Sequence, residues 1–465
     1  MTEPETNGAE KERPDDREYG YALDPELVAA VVESLNAGDR VAVLSLLQDL
    51  HVADIADLVE QIGSENRRRF IDLVWAEIDQ QFLVEVEEGV RDDLLSYLTP
   101  EKLAGVVKEL ESDDVVYLLE DLDEEHRRQV LEALEPGERA AVARAFEYPE
   151  YAAGRLMQSQ FVKAPPFWTV GQMIDFLRAA EELPEPFYDI IIVDPAAKPV
   201  GKVALGTLIG ARRPVTLESL MARDIRTIRV EDPQEDVAYA FKQYHLLSAP
   251  VVDHAGRAVG VITIDDAMDV LEEEAEEDIL RLGGVGDEEI SDDMWEITRR
   301  RLPWLGANLV TAILAAAVIG VFEDTIQRVV ALAILMPIVA SMGGIAGTQS
   351  LTVAVRALAT RDLTATNAYR VIMREAGAGV INGLVFAVLM GGVAWAWFGQ
   401  PAIGGLIAVA MVINMIAAAL SGTLIPLGLE RAGIDPALAS GTFVTTVTDV
   451  VGFFAFLGLA TLVLL

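Results

Sequence analysis

The sequence predicts a multidomain, largely helical chain. It reads as an α-helical superhelical N-terminal domain, a pair of small α/β units, a connecting helix, and an all-α transmembrane domain of five helices. Three observations predict this. The 465 residues are 52% hydrophobic yet carry 74 Asp and Glu against 36 Lys and Arg, for a net charge of -38. From Leu302 onward there are six Arg, no Lys and seven acidic residues, so about −37 of that charge precedes Leu302. Asymmetry of this size marks separate domains. Finally, the acidic part changes texture midway, from helix-period apolar spacing to a twice-repeated strand–turn–strand pattern.

The composition also excludes. So negative a chain offers no phosphate-neutralising surface, which argues against a nucleic-acid partner. Half of it is apolar, so it is not an acidic disordered tail. Zero Cys rules out disulfides, thiolate catalysis and Cys-ligated zinc, and the four His are scattered. No nucleophile–base pair, phosphate loop or His-based metal motif is present, so the chain is not read as an enzyme.

Residues 1–20 are polar and charged without an apolar core, and read as a disordered leader. Over 21–150 the apolar residues fall at helical spacing, as in Leu103, Val106, Val107 and Leu110. Asp54–Arg68 aligns with Asp114–Arg128, and Leu94–Lys102 looks like a partial copy between them. Helix pairs repeating in this way predict a small superhelix.

Residues 151–267 form the paired units. Ile190-Ile191-Ile192-Val193-Asp194 and Pro250-Val251-Val252-Asp253 are β-rich runs ending in turns, followed by Gly201 and Gly260 and a second short run. Met221, Pro250 to Asp253 and Gly260-Val261-Ile262-Thr263 resemble the CBS domain, a module that pairs to bind adenosine nucleotides. The first copy keeps Leu156-Met157 but is more degenerate.

A connecting helix is expected over 268–301, entered by a dense run of Asp and Glu from Asp265 to Asp278. Such runs are commonly solvated helix faces. Here like charges three and four apart cost a few tenths of a kcal/mol each, and anionic lipid nearby gives them nothing. Divalent ions such as Mg²⁺ or Ca²⁺, which prefer oxygen ligands, would relieve both.

Residues 302–465 hold five stretches near or above the roughly 20 apolar residues that cross a bilayer. They run Leu302–Phe322, Val329–Leu351, Ala376–Phe398, Ile403–Leu429 and Gly441–Leu465. Arg299 to Arg301, Arg356, Arg361, Arg370, Arg374 and Arg431 all fall on one side, leaving only Arg328 on the other. By the positive-inside rule the N-terminus is cytoplasmic and the C-terminus faces outward across the inner (cytoplasmic) membrane. Asp449 stands within the fifth stretch beside Thr445, Thr446 and Thr448. An acid there costs roughly 2.5–3.5 kcal/mol unless it meets a polar interior. Gly343, Gly344, Gly347 and Thr348 in the second stretch, and Asn414 in the fourth, add small and polar groups that suit a pathway or, equally, tight helix packing.

Three segments carry a further resemblance: Pro337–Arg356, Gly433–Ser440 and Thr445–Gly452. Together with the domain order, they identify a likeness to the MgtE family of magnesium channels and transporters over nearly the whole chain. The resemblance implies a homodimer in membrane lipid whose pore conducts Mg²⁺ inward, with Asp449 at the ion site. Gly343, Gly344, Ile345, Gly347, Thr348, Asn414 and Thr445 would line that pore. It also implies closure by cytoplasmic Mg²⁺ bridging Asp269, Glu274, Glu277 and Asp278 of the connecting helix and Asp435. ATP would bind the CBS pair, with Thr263 and Asp266 at the positions that hold ribose. Two positions depart: Ile345 stands where members usually carry Asn, and His245, after Tyr244, where some members carry an acid. The alternative is a membrane-anchored sensor of adenine nucleotides, working through the CBS pair alone.

Overall fold

The computed structural model describes residues 22–464 apart from 109, 121, 123, 135, 181–182, 185, 287 and 289–293. The leader expected over 1–20 lies outside the described residues. The chain divides into two compact units, one ending at Val270 and one beginning at Leu271.

The first unit opens with short helices from Pro25–Ala37 to Pro136–Ala145. Local chemistry starts them. Asp24 accepts from the Glu26 amide ahead of Pro25, and Thr99 accepts from the Lys102 amide ahead of Pro100, satisfying donors that a helix start leaves free. Apolar faces then close on a common core that includes Leu35, Leu58, Phe70, Phe82, Leu94 and Leu118.

The expected repeat reappears in the hydrogen bonds. Arg67 Nε donates to the Val59 carbonyl at 2.9 Å and its Nη2 to that of Glu60 at 3.0 Å. Arg127 donates in the same way to Leu119 and Glu120, both at 2.8 Å. These acceptors end the helices Val52–Gln61 and Ser112–Glu120, where carbonyls lack intrahelical partners. One arginine in each copy therefore caps the helix before its own.

The CBS-like pair follows. In the first copy β1 (Lys163–Ala164) runs parallel to β2 (Asp189–Val193), which pairs antiparallel with β3 (Pro199–Ala204). The second copy repeats the order with β4 (Ile228–Arg229), β5 (Ser248–Val252) and β6 (Ala258–Thr263). Asp194 closes the first turn by accepting from the Ala196 and Lys198 amides, and Asp253 the second by accepting from those of Ala255 and Arg257. The copies are interlocked. A side chain at Gly201 would come within 2.9 Å of the Met221 sulfur, and one at Gly260 within 2.7 Å of that of Met157. The segment leading into each copy thus lies against a strand of the other. Buried Asp189 ties the copies further, accepting from Lys202 Nζ and Ser248 Oγ at 2.7 Å each.

In the second unit five helices are long and apolar enough to cross a membrane. They are Met294–Val321, Ala331–Ala359, Ala368–Phe398, Pro401–Arg431 and Pro436–Leu464. A short helix, Glu323–Arg328, which the sequence pattern did not mark, joins the first two. The connecting segment 268–301 is not one helix. The helix from Ile264 stops at Gly283, Gly284 takes a φ of 71°, and the first membrane helix already begins at Met294. Left-handed backbone at Gly284 is why it stops there. The third and fourth membrane helices approach so closely that a Cβ on Gly404 would sit 2.6 Å from the Gly391 carbonyl oxygen. Small residues permit this, and packing of this kind drives helix association in lipid.

Replacing Arg67 by Met keeps much of the apolar stem but leaves two helix-end carbonyls unpaired. We expect a loss of about 2–3 kcal/mol of stability, read as a lower thermal midpoint. An unchanged midpoint would rule out the capping role.

Candidate functional site

Two membrane helices bring the polar groups together. On Ala331–Ala359, Ser341, Ile345, Thr348, Gln349 and Thr352 are exposed and, with Gly344, line an open groove of about 450 Å³. Their spacing puts them on one helix face. Thr348 donates its hydroxyl proton to the Gly344 carbonyl at 2.9 Å and Thr352 to that of Thr348 at 3.0 Å. On Pro436–Leu464, Thr445, Thr446 and Thr448 likewise donate to backbone carbonyls at 2.6 to 3.1 Å. Each hydroxyl spends its proton internally, so what these side chains have left to offer is oxygen lone pairs. That chemistry suits a cation. Asp449 is half-buried on the same helix and has no hydrogen-bond or ion-pair partner among the described residues.

The residues expected to line the pathway divide. Gly344, Ile345 and Thr348 lie on the open face, with Ile345 55% exposed, and Thr445 is half-buried. Gly343, Gly347 and Asn414 instead sit in packed contacts between helices. A Cβ at Gly343 would overlap the Asn414 amide, and one at Gly347 would lie 2.5 Å from Val444 Cγ1. Asn414 is buried and donates to the Val339 carbonyl at 2.8 Å. A buried amide must find a backbone partner in a membrane core, and this one clasps two helices.

The connecting helix and the start of the fifth membrane helix form a second cluster. Arg281 forms ion pairs with both Glu277 and Asp435. Burial, and then the neighbouring Asp435, push the carboxyl of Asp278 above its ordinary range. Two expected metal ligands, Glu277 and Asp435, are thus held by one guanidinium, and a third, Asp278, feels the charge of Asp435. No local pattern marks Arg281 for that role, because only the fold brings Asp435 to it.

The first unit holds another carboxylate group, in which unmarked acids of the N-terminal helices meet Asp265, Asp266 and Asp269. Asp113 is buried, and its Oδ1 has no hydrogen-bond partner. Burial, then Asp266, Asp114 and Glu111, drive its carboxyl well above the ordinary range. Asp114 is raised to about 6 by burial and by Glu85, Asp265 and Asp269. Asp266 is raised to about 7, chiefly by burial and against the lowering effect of Thr263. Asp269 therefore faces acids of the N-terminal helices. An orphaned carboxylate oxygen among hard oxygen donors fits a hydrated divalent cation. Among the described residues no three acidic or His side chains already converge as ligands of one ion, so such an ion would keep most of its waters. Glu274 lies on the same connecting helix.

Thr263 and Asp266 do meet. Thr263 donates to Asp266 Oδ2 from its hydroxyl at 2.6 Å and from its amide at 3.1 Å. They fasten the end of β6 to the start of the following helix, and a ribose would have to share that carboxylate.

The fold and these clusters define a class: a multi-pass membrane protein with a cation-suited helix face and an acidic, CBS-bearing soluble part. Family models match in order. They are an MgtE intracellular N domain over residues 50–151, a CBS domain over 217–273, and MgtE, divalent cation transporter, over 336–459. The magnesium transporter MgtE of Thermus thermophilus is 32% identical over 463 residues, spanning 95% of this chain and 99% of that protein. That of Bacillus subtilis is 30% identical over 437 residues, spanning 94% and 97%. The chain belongs to the MgtE family of divalent cation transporters. A crystal structure of the soluble part of a magnesium transporter is also similar, at 24% identity and a TM-score of 0.47, covering 54% of this chain and 98% of that one.

The raised aspartates predict a pH dependence. An acid whose folded pKa exceeds its ordinary 3.8 holds its proton more tightly when folded. It stabilises fully below that ordinary value, and the contribution is lost as pH rises through the folded value. For Asp114 and Asp266 that loss runs from roughly pH 4 through about 6 and about 7. The magnesium-free protein should therefore melt at a higher temperature at pH 5.5 than at pH 7.5, and Asp114→Asn should shrink the difference. A flat profile across this window would contradict the clustering.

Proposed function

We propose that this chain conducts Mg²⁺ into the cytoplasm as a homodimer in the inner membrane, and that cytoplasmic Mg²⁺ holds it closed. The observation that carries this reading is Asp449, an unpartnered carboxylate within a membrane helix flanked by threonine oxygens. Two copies meeting at that helix would present two such carboxylates to one hydrated ion. Mg²⁺ gives up its waters reluctantly, so loosely placed oxygens suffice. With the arginine-rich connections on the cytoplasmic side, a divalent ion moving inward gains about 4.6 kcal/mol per 100 mV of potential. No other energy source is needed.

Closure follows from repulsion. The acids around Asp113, Asp114, Asp266 and Asp269, and those around Asp278 and Asp435, repel one another. Bound Mg²⁺ would draw them together and fix the connecting helix, with Glu274 and Glu277 on its faces. Arg281 is the protein's own substitute for that ion at Asp435, and Mg²⁺ would have to displace it. A nucleotide such as ATP at the CBS pair would place its ribose on Asp266, coupling its occupancy to the same cluster.

Asp449→Ala should abolish Mg²⁺ uptake into proteoliposomes while leaving the oligomer intact; uptake at the wild-type rate would reject the pathway. Millimolar Mg²⁺ should protect the 265–283 helix from proteolysis, and Arg281→Ala should lower the concentration required. Equal sensitivity in both proteins would remove Arg281 from the mechanism.

A further inference from the structure

A cavity of about 350 Å³ opens where the second and third membrane helices meet, at the loop that joins them. Ala357, Leu363 and Val371 give it an apolar wall, and Arg370 and Arg374 stand on its rim. Ser350 lies at its floor, nine residues before the helix ends at Ala359, which at helical rise is about 14 Å deeper. The cavity therefore runs from the level of a helix end down into the apolar zone, the depth spanned by a lipid headgroup and the start of its chains.

The charges on the rim are unequal in their commitments. Arg374 lies 3.2 Å from Glu375, which also accepts from Ser350 Oγ at 3.3 Å. Asp362 accepts from the Thr360 hydroxyl at 2.8 Å. Arg370 is exposed and has no hydrogen-bond or ion-pair partner among the described residues. An unspent guanidinium above an apolar pocket at a membrane boundary needs an anion with an apolar body. Guanidinium groups bind phosphate oxygens in bidentate fashion, and basic pockets between membrane helices accept lipid headgroups.

We propose that this cavity binds one membrane phospholipid, its phosphate held by Arg370 with Arg374 in support and its glycerol and upper chains against Ala357, Leu363 and Val371. The site would place a lipid against the second membrane helix, which also carries the polar face. It stands on the cavity alone and does not depend on the ion carried.

The test is native mass spectrometry of the full-length protein offered phosphatidylglycerol, diacylglycerol without a phosphate, and glycerol phosphate without chains. The wild type should retain one phosphatidylglycerol per chain through graded delipidation and neither of the others. Arg370→Gln should lower retention at least about tenfold. Arg356→Gln, in the last turn of the second membrane helix but outside the cavity, should not. If Arg370→Gln does not yield folded protein, Ala357→Phe, which fills the pocket with both arginines intact, should expel the lipid. Equal retention by wild type and variants overturns the site. So does equal binding of glycerol phosphate, which would make it a soluble-phosphate site, and so does an equal loss in Arg356→Gln, which would make the effect diffuse charge.

Discussion

Repulsion between carboxylates is the constraint from which the rest of this structure follows. The fold carries Asp113 and Asp114 into the same neighbourhood as Asp265, Asp266 and Asp269, and their pKa values rise because burial and mutual charge both penalise ionisation. A chain under selection only for stability would place a Lys or Arg there. Near the membrane it does so, with Arg281 between Glu277 and Asp435. Around Asp113 an oxygen is instead left without a partner. The two clusters differ in a useful way, since one holds its own cation and the other lacks a partner for a buried oxygen. Each includes acids of the helix Ile264–Gly283.

The membrane helices obey a different constraint. Their backbone groups are satisfied within each helix, and association depends on close approach rather than on the hydrophobic effect. Gly343, Gly347, Gly391 and Gly404 serve that approach, and Asn414 pins two helices through a backbone carbonyl. The polar groups outside that packing are few: threonine and serine oxygens along one face, Gln349 and Asp449. Ile345 sits in the middle of that face. It interrupts the polar stripe with an apolar side chain.

Much of the fold was legible because its periodicities are strong. Five apolar stretches became five membrane helices, and the helical spacing of the N-terminal part became a single superhelical core. The repeat seen at Asp54–Arg68 and Asp114–Arg128 survives as two arginines making equivalent bonds. The site was less legible. Small residues read the same whether they line a cavity or pack a neighbour, so Gly343, Gly347 and Asn414 could not be separated from Gly344 and Thr348 by type. The break at Gly283 and Gly284 falls inside the helix expected over 268–301, where a left-handed Gly284 ends the helix without any change in the apolar or charge pattern.

The sequence alone determined where the chain meets the membrane, where its charge lies and which residue types stand in each segment, because hydropathy and charge are sums over neighbours in the chain. Only the tertiary structure decided which charges face each other. Asp114 and Asp269 are 155 residues apart, and Arg281 and Asp435 are 154 apart. No local pattern encodes such meetings. They exist because packed apolar cores fix where each helix ends, and the electrostatics of the site is set by those ends.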